Sequence, residues 1–298
     1  MWGNRRTGYG RWTTRPANSW AAPIVNPLFK CIKYATVSIA YFVALTGTSS
    51  TFGAYFCAKP LYLTFDTGHM AVAPLIADVL KRNEVKVTFF AANERTQVGD
   101  GSLGQHWAPW WKARAAEGHE FASHTFDHAY WRGDVKPATG EVVKYKIRPS
   151  AGANEGREFV WSAEQYCAEV SQSAKRLAEL TGKKSLPLFR APGGKTSPAL
   201  LAAAQSCGFK HVAWAPAGFL GDELPSDKFS NDALLKKALV NIKTGDILVA
   251  HLGIWSRKDP WAPAVLEPLI IGLKAKGFCF QTLREHPEFK PWIAAHGG

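Results

Sequence analysis

Residues 61–65 read L-Y-L-T-F and run directly into Asp66. A short apolar run of this kind reads as a buried strand, and an aspartate at its end is expensive to bury unless its charge is compensated. Working outward from it, further strands are read near 86–91, 119–123, 186–190, 210–214, 246–250 and 278–282. Between them, helix-length amphipathic segments lie near 71–82, 105–117, 161–181, 197–206, 231–242 and 263–276, and Gly118, Gly182, Gly208 and Gly277 are placed to end four of them. Strand–helix alternation at this pitch specifies a parallel α/β domain, closed or nearly closed into a barrel. No G-x-G-x-x-G follows the first strand, so a dinucleotide-binding sheet has no support.

The chain of 298 residues is 46% hydrophobic and 20% charged, which excludes disorder as its main state. Its net charge of +12 invites a nucleic-acid reading, but the surplus is unevenly placed. Residues 1–58 carry Arg5, Arg6, Arg11, Arg15, Lys30 and Lys33 and no acid; removing these six leaves 30 basic against 24 acidic residues, or +6, for 59–298. No nucleic-acid partner is expected. The leader runs from basic residues through the apolar stretch Tyr34 to Leu45 to small residues at 46–54, the order of a secretory signal. The rival reading is a membrane attachment through residues 34–56. Either places residues 59–298 in the periplasm, the cell envelope or the medium. Cys31, Cys57, Cys167, Cys207 and Cys279 fit no zinc motif; most are expected as buried apolar side chains, with one disulfide allowed but not assignable.

Four strands end in residues able to do chemistry: Asp66, His124, Arg190 and His251. In a parallel barrel all strand C-termini open on one face, so these side chains can converge on a single site. His124 and His128, in H-T-F-D-H, are four apart; on a helical turn both imidazoles would reach one divalent cation. Residues 129–160 break the alternation with Trp131, Arg132, Lys136, Lys144, Lys146, Arg148 and Arg157 among Gly, Pro and Ala, and read as a loop insertion that is a lid, a binding loop or simply mobile.

T-F-D-T-G at 64–68, S-H-T-F-D-H at 123–128, F-R-A-P-G-G at 189–194 and I-L-V-A-H-L at 247–252 resemble four ordered motifs of the polysaccharide deacetylases, carbohydrate esterase family four, with its NodB-homology domain. The resemblance spans about 59–285. It implies an irregular (β/α)7 barrel and a metal-dependent hydrolase that removes N-acetyl groups from aminosugars of an envelope or extracellular polysaccharide such as peptidoglycan. On this resemblance Asp66 is the catalytic base, Arg190 its partner and His251 the acid. His124, His128 and Asp66 would hold a divalent metal of the zinc, cobalt or manganese class, and Leu252, Trp214 and Pro192 would line the substrate pocket.

Two departures bear on this reading. The family's first motif usually reads T-F-D-D-G, and here Thr67 replaces the second carboxylate. The third ligand is then Asp66 itself, a nearby carboxylate such as Asp127 or Glu94, or water. The fourth motif is not recognisable at 214–224, where Asp222 is the one candidate to tune His251 and reads more simply as a loop residue. The alternatives are an inactive glycan-binding relative and a deacylase of a lipid-linked aminosugar.

Overall fold

The computed structural model describes residues 57–136, 143–257 and 259–297. The signal or attachment stretch at 34–56 lies outside them. Among the described residues no helix is long and apolar enough to cross a membrane.

The chain runs β1 (Pro60–Asp66), α1 (Ala73–Arg82), β2 (Thr88–Ala91), α2 (Ala108–Ala116), β3 (Glu120–Ser123), β4 (Ala129–Val135), β5 (Lys144–Pro149), β6 (Phe159–Trp161) and α3 (Ala163–Thr181). It continues with β7 (Leu188–Phe189), α4 (Pro198–Ser206), β8 (Lys210–His211), α5 (Asn231–Asn241), β9 (Ile247–His251), α6 (Leu266–Ala275), β10 (Cys279–Phe280) and α7 (Lys290–Ala295). Local chemistry sets the helix ends. The Ser162 hydroxyl and the Gln165 side chain cap the first turn of α3 reciprocally, and Gly182 ends it at φ 69°. Ser197 and Ser230 cap α4 and α5.

Seven strands form one parallel sheet in the order β10-β1-β2-β3-β7-β8, with β9 also paired to β1. β9 bonds on its other side to the segment after β8, where Ala215 N–H donates to Ile247 C=O at 3.0 Å and Val249 N–H to Gly218 C=O at 2.8 Å. The sheet thus curls into a seven-stranded barrel, closed as the alternation indicated and irregular as the resemblance implied. Along β1 the side chains divide between two faces. Leu61, Leu63 and Phe65 pack in the large cluster against α1 and α6, while Tyr62 joins Phe90, Ala122, Leu188 and Val212 in a second one. α7, which sequence reading did not pick out, adds Phe289 and Ile293 to that second cluster, and its Trp292 indole donates to Pro187 C=O just before β7.

Residues 129–160 depart from expectation. Their described part is not a loop but a three-stranded antiparallel sheet, β4-β5-β6. β5 alternates strictly, with Lys144, Lys146 and Arg148 exposed and Tyr145, Ile147 and Pro149 buried, the first two in one cluster with Tyr166 and Phe189. The cysteines also depart: two disulfides form, Cys57–Cys279 and Cys167–Cys207, with Cα separations of 5.9 and 6.2 Å. The first joins the residue group before β1 to β10, and the second joins α3 to the end of α4.

Candidate active site

Asp66 ends β1 and His251 ends β9, and the two are direct register partners in the parallel sheet. The expected acid is therefore the immediate strand neighbour of the expected base. Beneath them the following loops touch backbone to backbone. His69 N–H donates to Gly253 C=O at 3.0 Å, and a Cβ on Gly68 would sit 2.0 Å from that same oxygen, so only glycine fits there.

Arg190 follows β7 and is fully buried. Its Nη1 donates to Asp66 Oδ1 at 2.6 Å and Thr64 Oγ1 at 2.9 Å, and its Nε donates to Val212 C=O at 3.2 Å. The guanidinium lies 4.2 Å from the Phe90 ring centroid and 5.7 Å from that of Trp214. Burial alone would raise the Asp66 pKa. Arg190, His124 and His251 outweigh it and hold the carboxyl below its usual range.

His251 Nδ1 lies 3.1 Å from Asp222 Oδ1, and the other oxygen of Asp222 accepts the His251 backbone N–H at 2.7 Å. Burial would lower the His251 pKa, but Asp222, with Asp66 and Glu223 beyond it, carries it up to about 10. Asp222 is a buried partner and not the plain loop residue that its sequence setting suggested.

His124 and His128 do not sit on a helical turn. H-T-F-D-H is an irregular loop in which Thr125 and His128 take φ of 61° and 49°, a region non-glycine residues rarely enter. The Thr125 hydroxyl braces it by accepting the Ala129 N–H at 2.7 Å. The rings nonetheless meet, with centroids 4.8 Å apart. His124 Nδ1–H donates to Arg190 C=O at 2.8 Å, which leaves Nε2 with its lone pair. The Ser150 hydroxyl donates to His128 C=O at 3.3 Å, so it accepts at 2.6 Å from His128 Nδ1–H and leaves that Nε2 bare as well. This is the arrangement that orients metal-ligating histidines. His124 Nε2 is 3.6 Å from Asp66 Oδ2. That is too long for a hydrogen bond but near the roughly 3.4 Å edge spanned by two ligands about 2.1 Å from a tetrahedral cation.

In kind, two imidazoles and one carboxylate are donors that suit a borderline divalent cation. Among the described residues no group of three or more His, Cys, Asp or Glu side chains is placed to hold a metal ion as it stands. Thr67 lines the cavity, but its hydroxyl accepts the Ala92 N–H at 3.0 Å. Glu94 is in the cavity, 4.0 Å from His128 Nδ1. Asp127 is turned away: its carboxylate lies against Gly152, leaving Glu94 as the nearby carboxylate that the site retains.

A cavity of about 150 Å³ collects Asp66, His124, His128, His251, Glu94 and Glu223, and is walled by Tyr130, Trp214, Phe219 and Val249. Two expected wall residues are absent from it. Leu252 is buried in the large apolar cluster because it faces away from His251 along the chain, and Pro192 is buried at the head of a short 3-10 turn whose Gly193 reaches the cavity instead.

The polysaccharide deacetylase family model matches residues 54–212. A chitooligosaccharide deacetylase of Azorhizobium caulinodans is 25% identical over 233 residues, covering 75% of this chain and 92% of that one. A peptidoglycan-N-acetylglucosamine deacetylase of Bacillus cereus is 25% identical over 236 residues, covering 78% and 90%. Among solved structures, a family 4 acetyl xylan esterase from Clostridium thermocellum, in complex with a cobalt ion, superimposes with a TM-score of 0.57 at 20% identity, covering 78% of this chain and 92% of that one. The match extends over more than half of the chain and takes in three of the four strand-end motifs, and the chain belongs to the polysaccharide deacetylase family.

Proposed function

We propose that this chain is an exported, metal-dependent hydrolase that removes N-acetyl groups from the aminosugars of an envelope or extracellular polysaccharide. The observation that carries the reading is the pairing of Asp66 and His251 as strand neighbours held in opposite protonation states, the first by Arg190 and the second by Asp222. Amide hydrolysis needs such a pair, because water must lose a proton and the leaving amine must gain one.

His124 and His128, with Asp66 or Glu94 beside them, would hold the cation. When bound, it supplies acidification of a water and polarisation of the acetamide carbonyl. With Glu94 or water completing the ligands, Asp66 Oδ2, the oxygen that Arg190 does not occupy, is free to accept the water's proton. His251 donates from Nε2 to the departing nitrogen, since its Nδ1 faces Asp222. Trp214, Phe219 and Val249 offer apolar surface to the acetyl methyl. Two disulfides support export, since such bonds persist in oxidising compartments.

Acetate release from peptidoglycan and from chitin oligomers, with and without a chelator, tests this. Turnover that the chelator abolishes and added zinc or cobalt restores is the expected result. Glycan binding without acetate release would leave an inactive relative, a reading that Thr67 favours by leaving the third ligand position without a carboxylate. Release only from a lipid-linked aminosugar would change the substrate class.

A further inference from the structure

The outer face of the antiparallel sheet is basic and adjoins the catalytic cavity. Lys144, Lys146 and Arg148 project outward along β5, and Tyr130 of β4 is the register partner of Arg148. Arg132 lies where the β4–β5 register shifts between Trp131 and Gly133, a bulge that frees its side chain from the regular alternation. Arg132 and Arg148 line one cleft of about 330 Å³ together with Tyr130, Ser150, Glu155 and Gly156.

Two residues join this cleft to the site. Tyr130 lines both the cleft and the catalytic cavity, and Ser150, at the cleft, is the hydroxyl that orients His128. Among the described residues Arg132 and Arg148 make no ion pair, and Glu155, the acid in the cleft, is within ion-pair distance of neither. Two guanidinium groups with free donors beside a sugar-sized cleft are what bidentate recognition of an oxyanion requires. Both side chains are exposed, so a neutral sugar chain would leave their donors to water, whereas a carboxylate would take them up.

We propose that Arg132 and Arg148 seat a carboxylate of the glycan chain, so that the enzyme takes a carboxylate-bearing aminosugar polymer, of the peptidoglycan type, in preference to a neutral one of the chitin type. This rests on the deacetylase reading above and narrows its substrate class. The arginines fix the chain's register over the metal-site histidines and take no part in bond breaking.

The test uses the whole chain and three probes: glycan strands with free muramyl lactyl carboxylates, the same strands with those carboxylates reduced to alcohols, and chitotetraose. Equilibrium binding is measured by calorimetry, and kcat and KM by acetate release, for the wild type and for Arg132→Gln, Arg148→Gln and the double variant. The native strands should bind at least tenfold more tightly than the reduced ones, with an advantage that shrinks from 50 to 500 mM salt. The double variant should lose that advantage, with KM rising about tenfold on native strands, kcat unchanged and chitotetraose unaffected. Equal binding of native and reduced strands by the wild type, or an unaltered preference in the double variant, overturns the proposal. Absence of acetate release from every probe would instead refute the deacetylase reading, while the binding comparison still decides the role of the arginines.

Discussion

Asp222 places one carboxylate oxygen 3.1 Å from His251 Nδ1 and the other 2.7 Å from the His251 backbone N–H, so a single side chain fixes both the charge and the position of the imidazole. The acid form of His251 is therefore retained far above neutrality.

Asp222→Asn tests this directly. Without the carboxylate the His251 pKa falls from about 10, and the alkaline limb of kcat/KM should move down toward neutral pH. Loss of the correctly protonated acid should also lower kcat by about a hundredfold or more. A pH profile between 5 and 11 for both proteins checks it, and an unmoved alkaline limb would assign the acid to another group.

Asp66→Asn should abolish turnover, since the amide cannot accept the water's proton. Arg190→Met, by contrast, should cost stability first: removing one member of a buried ion pair costs about 3–5 kcal/mol because the other charge is left uncompensated. Urea unfolding of the two variants separates the chemical role from the structural one.

At Thr67 the hydroxyl faces the cavity while accepting a backbone N–H. An aspartate there can keep that hydrogen bond with one oxygen and offer the second to the cation. Thr67→Asp should tighten zinc binding by tenfold or more in calorimetry at pH 7, and an unchanged affinity would place the third ligand elsewhere.

His119, away from the cavity, accepts the Val87 N–H on Nδ1 at 3.1 Å, and burial pushes its pKa down to about 3. The unfolded chain binds that proton near 6.5, so the stability this group contributes is present above 6.5 and is lost as pH falls toward 3. The urea midpoint should drop between pH 6.5 and 4. His119→Gln, which cannot be protonated, should show a shallower drop.

The Cys167–Cys207 bridge closes a loop of 40 residues. Chain-entropy arguments assign such a bridge about 4 kcal/mol. The Cys167→Ser, Cys207→Ser double variant should unfold at correspondingly lower urea, measured by circular dichroism without reductant.

The barrel was legible because most of its strands are short apolar runs bounded by turn residues, and three of its helices open on a serine cap that the sequence shows. Asp66, His124, Arg190 and His251 were legible for a related reason: each stands at a strand end, where sequence position alone implies a shared face. Asp222 was not, because it lies 29 residues from His251 on a loop with no periodicity, and only the closure of the barrel brings them together. The alternation in K-Y-K-I-R-P at 144–149 was present in the sequence, but the high charge of its outward positions and the surrounding Gly and Pro made it resemble a loop. The placement of the two histidines was legible in outcome but not in form, since positive φ values at Thr125 and His128 do for these rings what a helical turn was expected to do.

The contact of Gly68 with Gly253 ties the exits of β1 and β9 into one unit. Asp66 and His251, the proposed base and acid, therefore share one backbone junction, and any side chain introduced at Gly68 would strike the Gly253 carbonyl that stands beside both.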